Sequence, residues 1–156
     1  MDNVSISRIA KLHPKLRSEV SQILVNIHNR GIDIRITQGL RTIKEQDLLY
    51  AQGRSLPGKI VTNAKGGHSY HNYGLAVDFC LLHKDGTISF SMIEDIDKDN
   101  KADWMEVVEE FQKFGWFWGG LFKGNFKDTP HFEKSFGNTI EKLLITKKDK
   151  EGYPIL

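Results

Sequence analysis

The sequence predicts an α+β fold, a small antiparallel sheet with flanking helices. Three observations carry that expectation. Apolar residues recur at helical spacing in residues 14–30 and 102–114, they alternate with polar ones in residues 32–37, and a Lys84-Asp85-Gly86 turn folds the apolar run 75–82 back on itself. At 156 residues, 39% hydrophobic and 27% charged, the chain is long enough for one substantial core and too short for a comfortable second. A single domain over residues 1–156 is expected, with residues 142–156 a polar C-terminal tail.

Taken in order, Leu16, Val20, Ile23, Leu24 and Ile27 form the core-facing stripe of a helix that Gly31 would end. Ile32, Ile34 and Ile36 alternate with polar residues as in a strand. Thr42-Ile43-Lys44-Glu45 is a capping box opening a helix that Gly53 closes, so Arg41 falls in a strand-to-helix connection. Residues 54–67, with Pro57, Gly58, Gly66 and Gly67, have no periodicity and read as a long loop that delivers His71. Tyr73-Gly74 turns the chain into a buried strand, residues 75–82. There Leu75, Val77, Phe79 and Leu81 share one face and Ala76, Asp78 and Cys80 the other. After the hairpin into residues 87–91, a helix over residues 102–114 presents Trp104, Val107, Val108 and Phe111 on one side. The aromatics of Trp116-Phe117-Trp118-Gly119-Gly120 are assigned to core packing.

The chemistry concentrates in two short stretches, Ser69-Tyr70-His71-Asn72-Tyr73-Gly74-Leu75-Ala76-Val77-Asp78 and Asp128-Thr129-Pro130-His131. Asp78 sits between the small residues Ala76 and Cys80, where a metal can approach; without a partner its burial in a core strand would cost on the order of several kcal/mol. His71, Asp78 and His131 supply three nitrogen and oxygen ligands, the number that leaves a catalytic zinc one open position. Structural zinc sites fill all four positions, mostly with cysteine, and Cys80 is the only cysteine here. The pattern therefore points to a zinc hydrolase. Pro130 stiffens the approach to His131, and Asp128 reaches the same metal only if the chain turns, as Asp-x-Pro sequences often do. Asp128 would then take a proton from the attacking water and pass it to the leaving amine.

These residues resemble the zinc peptidases that include the D-alanyl-D-alanine carboxypeptidases and dipeptidases, whose fold sonic hedgehog shares. Within that group the chain is most similar to the L-alanyl-D-glutamate endopeptidases of phage endolysins and bacterial wall hydrolases. The similarity runs from Leu12-His13-Pro14 through Thr37-Gln38-Gly39-Leu40-Arg41-Thr42 and Gln46 to Trp118-Gly119-Gly120 and His131-Phe132-Glu133. The resemblance implies Zn²⁺ on His71, Asp78 and His131, and Asp128 as general base, a position held by glutamate in the carboxypeptidase branch and aspartate in the endopeptidase branch. It also implies that Arg41 steadies the substrate carbonyl or oxyanion, and that the substrate is the peptidoglycan stem peptide, cut at the L-alanyl-D-glutamate bond. A D-alanyl-D-alanine carboxypeptidase or dipeptidase and a non-catalytic hedgehog-like zinc module are the alternatives. Asp128 argues against the last, since a binding module has no use for a free base.

The remaining histidines carry less. His13, His28 and His83 read as surface or satisfied core groups, and His68, three residues before His71, faces the cleft or solvent. A second motif stands apart from the first: Asp95, Asp97, Asp99, Asp103 and Glu106 occupy positions 1, 3, 5, 9 and 12 of an EF-hand-like loop, with Asn100 where glycine is usual. Ca²⁺ is the candidate ligand. The competing reading is a solvated acidic loop in which Asp103 caps the following helix.

A net charge of +2 is too mild to indicate nucleic acid, and no basic block appears. No apolar run reaches membrane-spanning length, so no membrane insertion is expected. The first twenty residues lack the apolar core of a signal peptide, and a single cysteine makes no intramolecular disulfide. The expectation is a monomer made in the cytoplasm without a leader and acting on the bacterial cell wall.

Overall fold

A computed structural model describes residues 1–156. Its centre is strand β2 (Ala76–Leu82), for which β1 is Ile34–Gln38, β3 Ile88–Ser89, β4 Phe117–Trp118 and β5 His131–Glu133. The strands run antiparallel in the order β1-β2-β5-β4, with β3 paired to the far end of β2 at Leu81 and Leu82. Helices α1 (Asn3–Ile9), α2 (Pro14–Asn29), α3 (Ile43–Ala51), α4 (Asp103–Lys113) and α5 (Ile140–Ile145) surround the sheet. The mixed architecture and the antiparallel sheet are those expected.

The alternation in β2 decides where the core lies. Leu75, Val77, Phe79 and Leu81 join the stripe of α2 and the Trp104, Val107, Val108, Phe111 face of α4 in a cluster of 23 buried residues. Its centre is aromatic: the Phe79 ring lies 4.2 Å from that of Trp104, and Phe111 stacks on Phe132 at 4.2 Å with 8° between planes. Aromatic pairs at this spacing contribute about 0.5–1.5 kcal/mol beyond their buried area. Trp116 and Trp118 are buried as expected, whereas Phe117 between them points outward.

Local signals set most helix boundaries. Pro14 occupies the first turn of α2, where its missing N–H is unneeded, and His13 Nδ1 accepts from the Lys15 N–H. The Thr42–Glu45 capping box opens α3. Strand β1 is an edge strand, and α1 covers part of that edge. Ser5 Oγ accepts the Ile36 N–H at 3.0 Å, Arg8 donates to the Ile36 carbonyl at 2.6 Å, and Asp2 joins the Ser5 hydroxyl to Arg35. Ser5 is fully buried. Ser5→Ala leaves the Ile36 N–H without an acceptor, an expected cost of about 1–3 kcal/mol. Thermal unfolding followed by circular dichroism should show Tm lower by about 3–10 °C; an unchanged Tm would show that the contact does not hold the edge.

Residues 142–156 are polar in composition, yet this segment is anchored. The Tyr153 hydroxyl donates to the Lys11 carbonyl, and the Pro154 and Leu156 carbonyls meet His13 Nε2 and Lys15 Nζ. Tyr153 is itself buried. No helix is long and apolar enough to cross a membrane.

Candidate metal centre and cleft

Each chemical residue is placed by a different device. His71 lies in a short 3₁₀ helix, Tyr70–Tyr73, that Ser69 caps and Gly74 closes with φ +67°. A Cβ at Gly74 would also stand 2.6 Å from the His13 backbone nitrogen, so the chain needs glycine there. Asp78 projects from β2, and the register sets it directly opposite His131 on β5. Asp128 is brought round by a turn over Thr129 and Pro130 in which the His131 N–H donates to the Asp128 carbonyl at 3.1 Å. The turn that the Asp-x-Pro sequence called for is present. Gly119 packs against it so closely that a Cβ would lie 2.3 Å from the Asp128 carbonyl oxygen.

The three ligand candidates converge. His71 Nε2 is 3.2 Å from Asp78 Oδ1 and 3.2 Å from His131 Nδ1, which is 3.0 Å from the same Asp78 oxygen. The outer ring nitrogens are committed elsewhere: His71 Nδ1 to the Gly39 carbonyl at 2.8 Å, and His131 Nε2 to the Glu133 carboxylate at 2.9 Å. Both outer partners only accept hydrogen bonds, so neutral rings carry their protons outward and turn lone pairs inward. Two lone pairs and a carboxylate oxygen then face one point, an arrangement that repels itself unless a cation or a proton stands between them. Without a metal, a proton takes that place. Burial opposes charge on His131, but Asp78 and Glu133 outweigh it and push its pKa up to about 9; burial likewise opposes charge on Asp78, but the hydrogen bonds from His131 and His71 hold its carboxyl well below the usual range. A tetrahedral zinc with bonds of about 2.0–2.1 Å holds its ligands about 3.3 Å apart, so the spacing fits. Among groups of histidine, cysteine and acidic side chains, His71, Asp78 and His131 form one that can hold a metal.

The trio forms part of the wall of a cavity of about 750 Å³ that also includes Arg41, His68 and Asp128. Burial, and then the charge of Asp78, raise the Asp128 carboxyl above its ordinary value. The Arg41 guanidinium donates to Gln46 Oε1 at 2.9 Å, and the buried Gln46 in turn donates to the Ala64 carbonyl. Residues Ile60, Val61 and Phe126 give the cleft apolar walls. All five residues that the sequence pattern and the resemblance singled out for zinc chemistry thus share one cleft.

Comparison with known proteins agrees with this geometry. Residues 62–134 match the family described as D-alanyl-D-alanine carboxypeptidase. Over 122 residues, 78% of this chain and 72% of the relative, the sequence is 51% identical to the peptidoglycan L-alanyl-D-glutamate endopeptidase CwlK of Bacillus subtilis strain 168. The chain belongs to the D-alanyl-D-alanine carboxypeptidase family of peptidases. Its fold is also that of the Serratia marcescens L-Ala D-Glu endopeptidase ChiX, with a TM-score of 0.56, 20% identity, and coverage of 87% of this chain and 90% of the other. The L,D-carboxypeptidase DacB of Streptococcus pneumonia is similar too, with a TM-score of 0.53, 18% identity, and coverage of 83% and 74%. As a member of this peptidase family the chain is an enzyme.

Within this peptidase, three supporting groups carried no assigned role in the sequence. Gly39 contributes a backbone carbonyl, which leaves no mark on residue type. Glu133 lies two residues from His131 on a strand, a spacing that puts both on one face and was legible once β5 was known. Gln46 lies four residues into α3 and orients Arg41. An outer acceptor fixes a metal-binding histidine's tautomer and raises its basicity, so Glu133→Gln is expected to weaken zinc affinity about 10–100-fold. Competition against a chromophoric chelator measures this; equal affinity would mean that the Glu133 contact is incidental.

The acidic loop lies elsewhere, at the N-terminus of α4. Asp103 does not cap that helix with its side chain. The N-cap is Ala102, and Asp103 Oδ2 accepts the Ile96 N–H instead, because the side chain is folded inward.

Proposed function

We propose that this chain is a zinc-dependent endopeptidase that hydrolyses the L-alanyl-D-glutamate bond of the peptidoglycan stem peptide. In this reading His71, Asp78 and His131 are the zinc ligands, Asp128 is the general base and Arg41 supports the oxyanion. The observation that carries it is the convergence of three inward-facing ligand atoms with an unliganded carboxylate in one cleft. The identity to the Bacillus endopeptidase selects the bond.

Zinc held by the trio would supply Lewis acidity toward the scissile carbonyl and acidify water beside it. The chain does the rest. Asp128, its carboxyl raised above its ordinary value by burial and the charge of Asp78, accepts a proton from the attacking water and returns it to the departing amine of D-glutamate. Arg41, steadied by Gln46, presents a fixed N–H fork to the oxygen on which negative charge develops. The apolar side chains of Ile60, Val61 and Phe126 limit competing water around these charges.

A synthetic stem peptide carrying both the L-alanyl-D-glutamate bond and a D-alanyl-D-alanine terminus separates this reading from the carboxypeptidase one. Chromatography of the products should show free L-alanine. Free D-alanine in its place would move the activity to the other branch of the family.

A further inference from the structure

We propose that the loop of residues 95–101 and the first turn of α4 form a calcium site, with Asp95, Asp97, Asp99, Asp103 and Glu106 as carboxylate ligands. The carboxylates fall into two trios that share Asp97: Asp95, Asp97 and Asp99, and Asp97, Asp103 and Glu106. Within each, ligand atoms lie within 4.8 Å of one another. Clustered acids alone prove little, since solvated loops have them. The deciding observation is buried. Asp103 is 0% exposed and Glu106 is 3% exposed, and Asp103 Oδ1 and Glu106 Oε2 have no hydrogen-bond donor at all.

The other oxygens of those two groups are already used. Asp103 Oδ2 accepts from the Ile96 N–H at 3.0 Å, and Glu106 Oε1 pairs with the Arg30 guanidinium. A buried carboxylate oxygen without a donor is among the costlier defects a fold can carry. Arg30 beside Glu106 and Lys101 beside Asp99 are too few to neutralise five acids. The donors are all hard oxygens, with no nitrogen or sulfur among them, which selects calcium over zinc; calcium also tolerates the irregular, many-ligand geometry that magnesium does not. Lys98 and Asn100 take φ of +63° and +71°, so Asn100 does accept the left-handed conformation that glycine usually supplies in such loops.

A cation there would tie the loop to α4 and, through Arg30, to the end of α2. It would also fix Trp104, one residue from Asp103, against Phe79, which adjoins Asp78 on β2. The site is thus placed to stabilise the sheet that carries Asp78 and His131.

The test uses the whole zinc-loaded protein freed of calcium. Isothermal titration with calcium chloride should give one binding event with Kd of about 10⁻⁵–10⁻³ M, and a hundredfold excess over Kd should raise Tm by about 5–10 °C. The Asp95→Asn/Asp97→Asn double variant should lose both responses. Asp103→Asn removes a buried charge, so it should melt no lower than the calcium-free wild type and gain little from calcium. The proposal is overturned if the wild type shows neither heat nor a Tm shift at millimolar calcium, or responds only to zinc. It is equally overturned if Asp103→Asn melts lower while keeping the full calcium response, since Asp103 would then be a structural contact only.

Discussion

Asp128→Ala is expected to abolish hydrolysis while leaving zinc bound. A positioned general base contributes about 10²–10⁴-fold, so kcat/KM on a synthetic stem peptide should fall by that factor. The structure makes this a clean experiment. Asp128 holds its turn through backbone groups, its N–H on the Gly119 carbonyl and its own carbonyl under the His131 N–H, so truncating the side chain leaves the turn intact. Removing a half-buried carboxylate beside Asp78 also relieves repulsion, and Tm should not drop. Zinc content by elemental analysis should match the wild type. An Asp128→Ala enzyme with full activity would take the proton-transfer role away from this residue.

His131→Ala is expected to lose both metal and activity. It leaves only His71 and Asp78 as protein donors, one short of the set that holds a catalytic zinc with an open position. After dialysis the wild type should retain stoichiometric zinc and the variant essentially none, with activity at background. Stripping zinc from the wild type by chelation should give the same silence, and added zinc should restore it. The variant should not recover in the same buffer. Retention of stoichiometric zinc by His131→Ala would show that the metal binds elsewhere.

The parts of the fold legible in the sequence were those with a strong period or a strong local signal. The stripe of α2, the alternation of β2 and the capping box of α3 each act within a few residues, and each appears close to where it was expected. Strands β4 and β5 have two and three residues, too short for any period to show; β5 exists because β2 offers it a partner, and β4 because β5 does. Helix α1 is seven residues long and gains its stability from docking on β1 through Ser5 and Arg8, a tertiary cause invisible to local pattern. The same holds for residues 142–156, where composition suggested a tail and Tyr153 proves to be anchored on Lys11.

The site divides along the same line. The zinc-ligand candidates were readable because chemistry restricts residue type at His71, Asp78 and His131. What aims them was not. The Gly39 carbonyl carries no residue signature, Glu133 becomes meaningful only on a strand face, and Gln46 reaches Arg41 across a helix turn. The acidic loop was legible as a spacing, but the buried, donorless oxygens of Asp103 and Glu106 emerge only from packing.

Mass spectrometry of the fragments released from purified peptidoglycan by the zinc-loaded protein, with Asp128→Ala alongside, tests the central claim most directly. The expected result is new L-alanine carboxyl ends and D-glutamate amino ends with the wild type, and neither with the variant. An intact wall, or release of D-alanine alone, would contradict the assignment of this chain as an L-alanyl-D-glutamate endopeptidase.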